Sequence, residues 1–216
     1  MRKLFTTFVA ALLCVASLSA QNFWNNDNYM GVRLGLNMSS VGGVNQDKSM
    51  LAGLNVGVVY GISLNSDMPI YFEPGLFISS KGVKYDASHD AEEIKSRLTY
   101  LEIPFVFKYK WDELGNDISI QPFLGGFASI GLCGKTKDFE AREKYNSFNS
   151  NAYRRFDAGL RLGCGVAYQN LYLDLSYDLG LANIASNKFG VDRVEYDDFD
   201  GSIRTRCLTI SIGLDF

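Results

Sequence analysis

Residues 100–111 read YLEIPFVFKYKW, with Leu101, Ile103, Phe105, Phe107, Tyr109 and Trp111 at every second place and Glu102, Lys108 and Lys110 among the residues between. Alternation of this kind belongs to a β-strand with one apolar and one mixed face, because successive side chains leave opposite sides of the pleat. It recurs in eight segments, approximately residues 29–40, 52–64, 70–81, 98–111, 116–133, 153–168, 171–184 and 203–216. None carries a helical period. The connections take turns: 65–69, 112–115 and Gln169-Asn170 are short, while 41–51, 82–97, 134–152 and 185–202 are long and polar. Short turns at one end and long loops at the other predict an all-β fold, an eight-stranded antiparallel up-and-down transmembrane β-barrel with periplasmic turns and extracellular loops.

Which face meets lipid follows from three features. The mixed face is crowded with glycine (Gly57, Gly61, Gly125, Gly159, Gly163 and Gly165 among others). An eight-stranded barrel has an interior only just wide enough for side chains, so small residues there make room for large ones. The apolar face gathers Tyr60, Phe72, Tyr109, Trp111, Tyr168 and Phe216 at the short-turn end, as an interfacial aromatic girdle would. The last segment ends Leu208, Ile210, Ile212, Leu214, Phe216 on that same face. A soluble lipocalin-like barrel would invert these faces.

Hairpin registers follow from the turns. A two-residue Gln169-Asn170 turn pairs Tyr168 with Leu171 and sets Arg161 opposite Asp178. A four-residue loop at 112–115 would pair Trp111 with Asn116, Lys110 with Asp117 and Glu102 with Gly125. Pro104, which lacks an N–H, predicts a bulge or a broken ladder nearby.

The chain opens MRKLFTTFVAALLCVASLSAQ, a charged start, an apolar run and small residues, which predicts a secretory signal peptide over 1–20 and a barrel domain over 21–216. Cys14 lies inside the apolar run without the small residue that lipidation requires before it. Removing the leader takes Arg2 and Lys3 from 21 basic residues, leaving 19 against 24 acidic ones, a balance that argues against a nucleic-acid partner. The remaining Cys133, Cys164 and Cys207 form no disulfide framework or metal motif and read as packed free thiols. No cofactor is expected.

YLEIPFVFKYK, a leader ending Ser-Ala-Gln, eight strands and a terminal Phe together resemble the outer-membrane β-barrel domain family of Bacteroidetes, the PorT-like or porin-family proteins. The resemblance spans the mature chain. It implies residence in a Gram-negative outer membrane, with the barrel-assembly machinery as a partner during biogenesis, and says little about activity.

The inward face is expected to hold Arg33, Glu73, Glu102, Lys108, Lys110, Asp157, Arg161, Asp174 and Asp178 as a paired lumen charge network, since buried charges must be paired. The sharper alternative is a narrow channel for small solutes or ions. His89, beside Asp86, Ser88 and Asp90 in one polar loop, offers an alternative of lipid-modifying or proteolytic enzyme, although nothing orients these neighbours. Acidic residues of that loop and of DDFDG at 197–201 could hold calcium, but the later Glu ligand is missing. Arg154, Arg204 and Arg206 fall outward at the long-loop end, where they could meet lipopolysaccharide phosphates. The favoured role is a non-enzymatic scaffold presenting loops to a partner, a surface or lipopolysaccharide, with Phe139, Tyr145 and Phe148 as loop anchors.

Overall fold

The computed structural model describes residues 28–42, 48–64, 68–85, 94–112, 118–138, 144–146, 154–184 and 204–216. Nine antiparallel strands lie among them: β1 (Tyr29–Gly42), β2 (Lys48–Ser63), β3 (Ile70–Tyr85), β4 (Ile94–Tyr109), β5 (Ile118–Asp138), the short β6 (Lys144–Asn146), β7 (Phe156–Tyr168), β8 (Leu171–Gly180) and β9 (Arg204–Asp215). Each long strand pairs with its neighbours on both sides, β4 pairs with β5, and β9 returns to β1, so eight strands close into a ring. Met30 and Phe216 seal the seam by exchanging backbone hydrogen bonds of 3.1 and 2.7 Å. β6 stands outside the ring and, among the described residues, pairs with the far end of β5.

The faces are those the alternation assigns. Leu173, Leu175 and Ile212 are each about half exposed on the outside, whereas Arg161 and Asp178 are 7% and 1% exposed within. The β7–β8 register pairs Tyr168 with Leu171 and Arg161 with Asp178, across a turn whose Gln169 takes a left-handed φ of 53°.

Two details differ from expectation, and the ladder at Pro104 breaks as expected. The β4–β5 register lies four residues from the one predicted: Glu102 faces Ser129, Pro104 faces Phe127, and Trp111 bridges Ile120. Side chains repeat with period two, so an even slip leaves every face unchanged and the alternation cannot detect it. At Pro104 the β3–β4 ladder skips the Gly75 and Leu76 rungs without changing register, as a missing N–H requires. The register shift itself sits higher, where Leu132 is the extra residue of β5 opposite Thr99 and Tyr100. Finally, β2 to β5 continue beyond their predicted ends at the long-loop side, as rungs such as Lys84 with Lys95 and Lys95 with Lys137 show. Their lysine-rich composition reads as loop, but backbone pairing does not depend on it.

The core is the lumen. Tyr29, Phe77, Tyr100, Phe123, Phe127 and Tyr172 all turn inward and are buried. The glycines are their complement: a Cβ at Gly61 would strike the ring of Tyr29, one at Gly165 the ring of Tyr172, and one at Gly163 the ring of Phe123. At Gly125 the obstruction is the backbone of Phe105 and Val106, which has no freedom to yield. Overpacking typically costs about 1–3 kcal/mol, and a backbone clash belongs at the upper end. Gly125→Val is expected to lose the heat-modifiable folded band on an SDS gel, while Leu162→Val on the lipid-facing side keeps it.

Candidate functional site

Eight strands bring inward charges from distant parts of the chain to two levels of the lumen. At the upper level, toward the long loops, Arg161 on β7 donates from Nε to Asp178 Oδ1 at 2.6 Å and from NH2 to Asp178 Oδ2 at 2.7 Å. The same NH2 reaches across the lumen to Glu102 Oε1 on β4 at 2.5 Å. Lys81 on β3 completes the group, with Nζ 2.5 Å from Glu102 Oε2 and 3.3 Å from Asp178 Oδ2. Two cations and two anions share one ring of contacts. Lys81 and Arg161 also lie over the Phe127 ring, 4.7 and 5.9 Å from its centroid. Close by, Thr205 Oγ1 donates to Asp157 Oδ2 at 2.7 Å.

At the lower level, near the short turns, Glu73 on β3 is the hub. Lys108 Nζ is 2.6 Å from its Oε2, Arg33 NH2 is 4.0 Å away, and the Tyr29 hydroxyl donates to the same oxygen. Arg33 also pairs with Asp215 at 2.6 Å. This too is a neutral group of two cations and two anions. Arg33 and Lys108 both lie over the Tyr172 ring, at 4.0 and 4.3 Å.

Between the levels lies a cavity of about 40 Å³, lined by Arg33 and Glu73 from below, Arg161 from above, and Asn55, Asp174 and Thr209 on its walls. At about 10–15 Å³ of such volume per molecule, it has room for about three or four waters. Asn55 Oδ1, buried without a protein partner, is the atom one of them would satisfy. Below the lower quartet the barrel opens into a mouth of about 750 Å³, where half-buried Lys110 lies 4.0 and 4.2 Å from the ring centroids of Tyr29 and Tyr71.

Thus Arg33, Glu73 and Lys108 come together at one level, and Glu102, Arg161 and Asp178 at the other. Asp157 stands beside the upper quartet, Asp174 lines the cavity, and Lys110 is at the mouth. The sequence reading missed Lys81, Asp215 and the lumenal aromatics. Parity held the signal for the first two, since Lys81 shares a face with Glu73, and Asp215 with Gly213.

Elsewhere, Tyr109, Trp111, Tyr168 and Phe216 are about half exposed at the short-turn end, with Tyr60 and Phe72 half-buried beside them. Phe72 packs on Phe107 at 5.3 Å. Arg154, Arg204 and Arg206 are exposed on the edges of β7 and β9 that flank β8. The cysteines are free, but only Cys207 is packed: Cys133 and Cys164 face outward on the apolar surface, where lipid rather than protein surrounds a small hydrophobe. His89, Asp86, Ser88, Asp90, the other acidic loop residues, Phe139, Phe148 and residues 1–20, where a leader is expected, lie outside the described residues; Tyr145 falls in β6. Among the described residues, no group of three or more His, Cys, Asp and Glu could hold a metal ion.

A family model, "Outer membrane protein beta-barrel domain", matches residues 19–186. The chain belongs to that family. Solved structures similar to this family member include Ail, the attachment invasion locus protein of Yersinia pestis, at 15% identity and TM-score 0.41, covering 88% of this chain and 100% of that one. A major outer membrane protein from Thermus thermophilus matches at 16% identity and TM-score 0.46, over 88% and 100% of the two chains. Neisserial surface protein A matches at 13% identity and TM-score 0.44, over 88% and 96%. No curated protein matches the chain.

Removing one member of a quartet leaves a buried charge of opposite sign uncompensated, which costs about 3–5 kcal/mol. Arg161→Met is therefore expected to lower stability by that order in urea unfolding of the detergent-refolded barrel. Asp174→Asn, outside both quartets, should change it by well under half as much.

Proposed function

We propose that the protein is a sealed, non-enzymatic outer-membrane scaffold, which holds its long loops outside for contact with a partner, a surface or lipopolysaccharide. The observation that carries this reading is the filled lumen. Two neutral ion quartets, braced by Phe127 and Tyr172, leave about 40 Å³ between them. A channel for solutes or ions needs a continuous wet path, and here the charges that would line it are engaged with one another at 2.5–2.6 Å. Opening such a path means separating buried ion pairs.

Outward Arg154, Arg204 and Arg206 suit this role, because guanidinium groups at the rim of the apolar belt can bind lipopolysaccharide phosphates in bidentate fashion. The enzyme alternative turns on His89 and its loop neighbours. Reconstituted into a planar bilayer, the purified full-length barrel is expected to give no stepwise single-channel conductance under conditions where a solvent-filled porin does. Reproducible steps from the unaltered protein would remove the sealed-scaffold reading.

A further inference from the structure

Of the lumenal cations among the described residues, Arg33, Lys81, Lys108 and Arg161 each meet a carboxylate, and Lys110 does not. Its ammonium is held instead at the short-turn mouth, 4.0 Å from the ring centroid of Tyr29 and 4.2 Å from that of Tyr71. The two rings stand edge to face, 5.5 Å apart. They attract a cation through their faces but give its N–H groups no oxygen to donate to. Two carboxylates share the wall of the mouth, and both are placed elsewhere: Asp215 pairs with Arg33 at 2.6 Å, and Asp112 is exposed at the rim.

A second unmatched group faces the first. Lys108 pairs with Phe123 and Trp111 bridges Ile120, which sets Lys110 opposite Gln121 across the β4–β5 ladder, on the inward face. Gln121 is 2% exposed. Its Nε2 donates to Ser119 Oγ at 2.8 Å, and its Oε1 has no partner. Whichever way the amide is turned, one of its polar atoms is left over, at the cost that burial without a partner carries. The mouth they line, of about 750 Å³, is blind. Its floor is the lower quartet, to which the wall is tied where the Tyr29 hydroxyl donates to Glu73. A chain cannot pass through such a space, so whatever enters must end there.

We propose that this mouth binds the carboxylate end of a peptide, with the carboxylate on Lys110 and the last peptide group on Gln121. An ammonium beside an unsatisfied amide matches a carboxylate that lies one α-carbon from a peptide bond. The ionic half of that match is the stronger, since a hydrogen bond between charged groups is about twice as strong as a neutral one. The amide half sets the class of ligand: a simple carboxylic acid offers the same charge, but only a peptide end also brings an N–H and a C=O to Gln121. The site lies at the opposite end of the barrel from the long loops and goes beyond the scaffold reading.

The test titrates the refolded full-length barrel, in non-ionic detergent, with N-acetyl-trialanine as its free acid, with the C-terminal amide of the same peptide, and with acetate. A hydrogen bond to a charged group is worth about ten- to a hundredfold in affinity, so the acid should bind that much more tightly than the amide. Acetate should be weaker than the acid by the smaller factor of a neutral hydrogen bond, about two- to tenfold. Lys110→Met, which keeps an unbranched stem over the rings, is expected to bind acid and amide alike, and Lys110→Arg to restore the preference. Gln121→Met should bring the peptide acid down to the level of acetate. Equal binding of acid and amide by the unaltered protein, or no saturable binding, would overturn the proposal without recourse to any variant. Acetate that bound as tightly as the peptide acid would overturn the assignment to a peptide end. So would a Lys110→Met barrel that kept its heat-modifiable band and still preferred the acid.

Discussion

In hydrocarbon no water is present to satisfy an exposed N–H or C=O, so a sheet that crosses a membrane must close on itself. With eight strands, closure leaves an interior scarcely wider than the side chains that enter it. The rest of this structure follows from that confinement. Whatever points inward must fit, and whatever is charged must find an opposite charge, because the lumen offers little water in compensation. Large lumenal rings therefore stand against glycines, and the cations and anions divide into two neutral quartets.

The quartets are better understood as devices of specificity than of stability. A buried ion pair often contributes no more than a well-packed apolar substitute of the same volume, although breaking one is costly. What it adds is discrimination between registers. A strand that slips by two or four residues keeps its apolar face toward lipid, so the hydrophobic pattern tolerates the error. The ions do not: Arg161 meets Asp178 in its own rung and Glu102 across the lumen only in the observed register. Slippage would leave buried charges alone.

Outside, the same strands pass through three environments in turn. Aromatic residues mark the short-turn boundary, aliphatic and phenyl side chains fill the belt, and basic residues begin where the belt ends, Arg206 and Arg204 on β9 and Arg97 on β4. A chain that is acidic overall thus carries exposed arginines at the long-loop rim of the belt. The barrel wall separates the charges paired within from those exposed outside.

The sequence by itself determined the eight strands of the ring, their faces and the inward position of Arg33, Glu73, Glu102, Lys108, Arg161 and Asp178, but not the short β6, because a period of two is a local property that survives any error in alignment. It also determined the β7–β8 rung of Arg161 and Asp178, since a two-residue turn leaves no slack. Only the tertiary structure decided the β4–β5 register, the height to which β2 to β5 climb, and the partnership of Lys81 with Glu102 and of Arg33 with Asp215. Each of these depends on how far one strand is offset from the next once the ring is closed. That offset is a relation between distant segments, and neither alternation nor composition records it.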